Sequence, residues 1–150
     1  MKALIQRVTK SKVIIDRKVV GEIGKGYVIL LGVKEGDSEK EADLIAEKII
    51  NLRVMSDEND KMNLSIKDAD GEILVVSQFT LYADTTGGRR PSFIRAAKPE
   101  LAEKLYLYFI DKLKQLGVKN VQTGEFGAYM TVEIVNDGPV TIMLDTEELK

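Results

Sequence analysis

The sequence predicts an α+β fold, a mostly antiparallel, barrel-like β core with two main helices. Three observations support this. Short runs rich in valine and isoleucine recur along the chain, several separated by only a few polar residues. Two longer stretches, 39–52 and 99–116, instead repeat their apolar residues at helical spacing. A chain of 150 residues, 44% hydrophobic and 31% charged, has the size and balance of one globular domain, expected to span 1–150.

The elements follow in order. Residues 2–9 alternate loosely and read as a strand. Val13-Ile14-Ile15 and Val19-Val20 flank Asp16-Arg17-Lys18 and predict a hairpin with a short polar turn. Gly24 and Gly26 punctuate the chain before 27–33, a β-branched and almost wholly apolar run that predicts a strand buried on both faces. In 39–52, Ala42, Ile45, Ala46, Ile49 and Ile50 share a helical face, and Ser38 with Glu41 matches a capping box. Residues 55–70 are polar and irregular, and 72–81 reads as the second strong strand.

Residues 84–91 read as a flexible loop from their glycines and terminal proline. Pro99 opens the second helix, Leu101, Leu105, Tyr108, Phe109, Leu113 and Leu116 form its face, and Gly117 follows its end. Strands are expected again at 121–123, 129–135 and 140–144. Asn136-Asp137-Gly138-Pro139 reads as the turn between the last two.

Composition narrows the chemistry. There is no cysteine and no histidine, which excludes disulfides, thiolate catalysis, a Ser-His-Asp triad and histidine-ligated metal. No metal site or cofactor is expected. No run approaches the roughly 20 apolar residues of a membrane helix, so a cytoplasmic location is the default. A net charge of -2 argues against a protein coated in positive charge for nucleic acid, but leaves room for a local basic patch.

Four segments could carry chemistry, and each has a plain structural reading beside the functional one. Ser77, Gln78 and Thr80 end an apolar strand, where they would meet solvent or offer hydroxyl and amide contacts to a ligand; strand alternation puts Ser77 and Phe79 on one face and Gln78 and Thr80 on the other. Neither hydroxyl has an evident base. Gly138-Pro139 reads as a trans turn by residue type, or as a place where backbone oxygens are presented unshielded. Arg89 and Arg90 are a solvated loop pair or a phosphate clamp. Gly124 to Met130 is a bulged strand entry, or an apolar pocket wall formed by Phe126 and Met130.

Together the segments Val76-Ser77-Gln78-Phe79-Thr80-Leu81, Gly88-Arg89-Arg90-Pro91-Ser92-Phe93, Thr123-Gly124-Glu125-Phe126-Gly127-Ala128 and Val135-Asn136-Asp137-Gly138-Pro139-Val140-Thr141 resemble, in order and spacing, the D-aminoacyl-tRNA deacylases. Ile5-Gln6-Arg7-Val8, Gly32-Val33 and Lys61-Met62-Asn63 look like the same family, and the resemblance runs from Met1 to about Asp145. It implies a cytosolic homodimer with active sites at the subunit interface. The implied reaction is hydrolysis of the ester between tRNA and a D-amino acid, or glycine mischarged on an alanine tRNA. It further implies a cis Gly138-Pro139 pair that enters the partner subunit's active site and excludes L side chains. On this reading Ser77, Gln78, Phe79 and Thr80 hold the ester, backbone N–H groups around Gln78-Phe79 bind its carbonyl oxygen, and water is the nucleophile. Phe126 and Met130 would line the pocket, and Arg89 and Arg90 would meet tRNA phosphates. The competing readings are a non-catalytic RNA-binding module and a hydrolase of free D-amino-acid esters.

Overall fold

The computed structural model describes residues 1–149. Strands β1 (Lys2–Ile15), β2 (Lys18–Ile23) and β3 (Gly26–Gly32) precede helix α1 (Glu39–Asn51). Two short strands, β4 (Met55–Ser56) and β5 (Met62–Leu64), lead into β6 (Glu72–Ser77) and a 3₁₀ turn at Phe79–Tyr82. Helix α2 (Pro99–Gln115), β7 (Val121–Thr123) and β8 (Thr131–Asp145) follow.

β1 organises the sheet. Its C-terminal half pairs antiparallel with β2 and its N-terminal half with β3, while β8 runs antiparallel along nearly all of it. The β1–β2 hairpin turns on Asp16 and Arg17, both at positive φ (49° and 67°), as a tight two-residue turn requires to match strand twist. The ladders β3–β6 and β6–β7 are parallel. The long connections they need contain α1 and α2. The order β2-β1-β3-β6-β7 curls until its ends meet. A Cβ on Gly21 of β2 would lie 2.3 Å from the Thr123 carbonyl oxygen of β7, so only glycine permits that approach. The sheet is mixed and nearly closed, with two helices outside, the barrel-like α+β arrangement expected.

Alternation along the strands divides the core. Ala3, Ile5, Tyr27, Ile29, Leu31, Ile73 and Val75 face the helices and join Ile45, Ile49, Leu105 and Phe109 in the main cluster. Val8, Val13, Ile23, Val28, Leu74 and Val76 form a second cluster on the other face. Ser38 and Glu41 make the capping box of α1, the Ser38 N–H donating to the Glu41 carboxylate at 2.7 Å. α2 buries Leu105, Phe109 and Leu113 as expected, and also Ala102, Tyr106 and Ile110.

Four sequence expectations are corrected. The separate strands at 2–9 and 13–15 are one strand, because the Ser11 hydroxyl bonds the Glu133 carbonyl at 2.5 Å and polar Lys10-Ser11-Lys12 is thereby carried within β1. Residues 55–70 contain the β4–β5 hairpin. The strand at 72–81 ends at Ser77, where β3 also ends: the Gln78 N–H still reaches the Leu31 carbonyl at 2.8 Å, and beyond it the chain turns. Gly32 makes room, since a Cβ there would lie 3.1 Å from both the Gln78 oxygen and Leu81 Cβ. Finally, 136–139 does not separate two strands. β8 passes through it because β1 pairs with both flanks, Gln6 opposite Thr141 and Val8 opposite Asn136. Two steps along β1 thus face five along β8, and the surplus residues bulge outward.

Candidate active site

A cleft of about 650 Å³ opens at the C-terminal end of β6. Ser77 closes the strand and is half-buried, as is Gln78. Because the chain enters the 3₁₀ turn here, strand alternation no longer applies, and Ser77, Gln78 and Phe79 all line the same cleft. Opposite them stand Ala102 of α2 and the segment from Phe126 to Met130.

Local packing sets each wall. Phe126 lies against Tyr106 of α2, ring centroids 5.9 Å apart. Tyr106 is itself held by donating to the Val75 carbonyl at 3.2 Å, and burial pushes its phenol pKa upward. Met130 lies over Gly124, where a Cβ would come within 2.5 Å of its sulfur, and the Glu125 N–H points at that sulfur at 3.4 Å. At the mouth, Phe79 and Phe93 meet edge to face with centroids 5.0 Å apart at 73°, yet Phe79 stays 54% exposed. The exposed Phe79 ring, braced by Phe93, thus offers an apolar face at the cleft to a ligand ring.

The polar equipment is small. The Gln78 N–H is committed to Leu31, so it is not free for a ligand. The first N–H groups of a 3₁₀ turn have no carbonyl one turn behind them, which leaves the Phe79 N–H as the backbone donor of that pair. Thr80 is exposed and does not line the cleft. Its hydroxyl accepts a hydrogen bond from Gln78 Nε2, which ties the side-chain amide in place.

The other expected residues lie elsewhere. Arg89 and Arg90 are exposed on the loop between Asp84 and Ser92, whose backbones pair at its base at 2.8 Å. Gly138 and Pro139 project from the β8 bulge, are exposed, and do not line this chain's cleft. Their peptide bond is cis, where residue type alone favoured trans.

Arg7 is the residue the sequence reading did not single out. It is 7% exposed on β1, and Nη1 donates to the Val54 carbonyl at 2.8 Å and to Ser56 Oγ at 3.3 Å. Nε donates to the Asp137 carbonyl at 3.2 Å and lies 3.4 Å from the Asp137 carboxylate. A Cβ on Gly138 would be 3.0 Å from Nη2. One guanidinium therefore clamps the backbone at half-buried Asp137, just before exposed Gly138, to the body of the protein, using the fixed fork that lysine lacks. The available signal was a charged residue inside a strand whose neighbours of the same parity, Ala3 and Ile5, are apolar.

Comparison with known proteins places the chain in a family and gives solved structures of the same fold. A family model described as D-Tyr-tRNA(Tyr) deacylase matches residues 4–145. A D-aminoacyl-tRNA deacylase of Clostridioides difficile is 55% identical over 148 residues, covering 99% of both chains. Another, from Thermosipho africanus, is 52% identical over 149 residues with the same coverage. Among solved structures, one titled c-Myc DNA Unwinding Element Binding Protein superposes with a TM-score of 0.92 at 43% identity, covering 97% of this chain and 98% of that one. A structure described as a probable eukaryotic D-amino acid tRNA deacylase shares the fold at a TM-score of 0.79 and 16% identity, over 95% and 97% of the two chains.

Proposed function

The chain belongs to the D-Tyr-tRNA(Tyr) deacylase family, and on that premise we propose that it hydrolyses the ester joining a D-amino acid to the terminal ribose of tRNA. The observation that carries the reading is a division of parts. An uncharged cleft gathers Ser77, Gln78 and Phe79 with Phe126 and Met130, while Gly138-Pro139 stands exposed and clamped by Arg7, outside that cleft.

The chemistry asks little of side chains. The ester carbonyl needs orientation and a donor for its developing negative charge. The Phe79 N–H supplies that donor, and Ser77 with the Gln78 amide positions the substrate. Thr80 has no base beside it and steadies Gln78, so water is the nucleophile and the vicinal ribose hydroxyl assists it. Phe126 and Met130 form the apolar wall.

Two copies of the chain complete the site. In this homodimer Gly138-Pro139 of one copy enters the cleft of the other, and its backbone carbonyls occupy the side on which an L side chain would lie. A backbone wall rejects one hand by clash and needs no reactive group. Glycine has nothing to clash, so glycine mischarged on an alanine tRNA is a second substrate. Arg89 and Arg90 meet tRNA phosphates, consistent with forks that match phosphate oxygens. Proofreading of charged tRNA belongs in the cytoplasm, where translation runs.

The test is release of tyrosine from D-tyrosyl-tRNA by purified protein, beside L-tyrosyl-tRNA and D-tyrosine methyl ester. Turnover of the D-tRNA ester alone is the expected result. Equal turnover of the methyl ester would make the protein a hydrolase of free D-amino-acid esters, and binding of tRNA without turnover would make it an RNA-binding module.

A further inference from the structure

An aminoacyl ester carries an ammonium beside the carbonyl that is attacked, and a cleft selects most strongly for this charge by offering an opposite charge. This one offers none. Among the described residues, the lining runs from Ser77 and Gln78 through Phe93 and Ala102 to Phe126 and Met130, and no member of it is charged at neutral pH. Glu125, next to Phe126 in sequence, is exposed and is not part of the lining. Among the described residues, the polar side chains that line the cleft are neutral: the Ser77 hydroxyl, the Gln78 amide and the Tyr129 hydroxyl.

A second copy's segment would not change this. If Gly138-Pro139 enters the cleft, it brings backbone carbonyls, which are neutral acceptors. Asp137 beside it arrives already paired, its carboxylate 3.4 Å from Arg7 Nε and its carbonyl 3.2 Å from the same atom. A neutral acceptor takes a hydrogen bond from an O–H as readily as from an N–H. A hydroxyl is no larger than an amine, so a backbone wall that sorts by hand treats the two alike.

We propose that the enzyme also hydrolyses esters of tRNA with D-2-hydroxy acids, reading the hand of the α-carbon and not the charge of its substituent. The inference rests on the deacylase reading above. In the reaction the oxygen of water bonds to the acyl carbon and the bond from that carbon to the ribose oxygen breaks. One proton of the water goes to the ribose oxygen and the other to solvent, leaving tRNA and a D-2-hydroxy carboxylate.

The experiment compares D-phenylalanyl-tRNA with D-phenyllactyl-tRNA made from it by nitrous acid deamination. Each enzymatic rate is divided by the spontaneous hydrolysis rate of the same ester at the same pH, because an ammonium activates its own ester and a hydroxyl does so less. Exchanging an ammonium's hydrogen bond to a neutral acceptor for a hydroxyl's weaker one predicts enhancements that agree within about 30-fold. A larger loss on the hydroxy ester, with the amino ester hydrolysed normally, overturns the inference and shows that the ammonium is read. Failure to accelerate either ester overturns the deacylase reading and the inference with it.

Discussion

β6 is six residues long, lies between two parallel neighbours and buries its four central residues, whereas β8 is 15 residues long, pairs with β1 alone and is exposed or half-buried along nearly its whole length. Both carry residues of the candidate site. At the end of β6, Ser77 and Gln78 are held by the packing of everything beneath them. On β8, Gly138-Pro139 is held by a single guanidinium and by ladder bonds on either side of a bulge. The difference teaches where each half is vulnerable: the platform through the fold, the projecting segment through its own few contacts.

The largest effect is therefore expected deep in β6. Leu74 is fully buried in the second core cluster, and Leu74→Ala removes its packing and leaves a cavity. Losses of about 2–5 kcal/mol are usual for such a change, so the urea midpoint should fall steeply and deacylation should fall with it. If the variant keeps its stability yet loses activity, β6 is not a packing-held platform and the contrast with β8 fails.

The contrast also explains what was legible in the sequence. β3, α1 and α2 were readable because their apolar spacing reports burial directly, and the capping box at Ser38 is a local contact between residues three apart. The end of β6 was not readable, because Phe79, Leu81 and Tyr82 continue an apolar pattern, and what stops the strand is the end of β3 and the space left at Gly32, both remote in sequence. The passage of β8 through Gly138-Pro139 was hidden for the same reason: turn residues there are overruled by pairing with β1, some 130 positions away in the chain. The cleft residues Ser77, Gln78, Phe79, Phe126 and Met130 stood in segments that residue type offered as candidates beside a plain structural reading. Their roles came from motif resemblance, and their convergence depends on the barrel closing. Arg7 went unassigned since its four contacts, on Val54, Ser56 and Asp137, come from two segments remote in sequence that no local pattern connects.

A middling effect belongs to β8. Gly138 has φ at +121°, a region that side chains rarely adopt, and an added Cβ would press on Arg7 Nη2 and Val140 Cγ2 at 3.0 Å each. Strain of this kind costs about 1–3 kcal/mol, confined here to a bulge that the core does not need. Gly138→Ala should therefore keep most of its urea stability while the ratio of D- to L-tyrosyl-tRNA hydrolysis drops by about tenfold or more, as 1.4 kcal/mol of lost discrimination would give. A variant that folds and retains the ratio would move the chiral wall to another part of the cleft.

The smallest effect is expected between the two regions, at Thr80. Its hydroxyl is exposed, lies outside the cleft lining and receives the Gln78 amide, so its removal frees one side chain that the substrate itself can reorder. A neutral hydrogen bond contributes about 0.5–1.5 kcal/mol net, which limits Thr80→Ala to roughly a tenfold fall in kcat/KM with stability almost unchanged. A covalent role predicts something different in kind. Loss of the nucleophile would abolish turnover, and wild-type enzyme quenched early would carry the acyl group on the protein. Rapid quench with D-[¹⁴C]tyrosyl-tRNA reads both at once. Label that stays with denatured protein would place the chemistry on the 3₁₀ turn, whereas label that appears only as free tyrosine leaves the platform to hold the ester while water attacks.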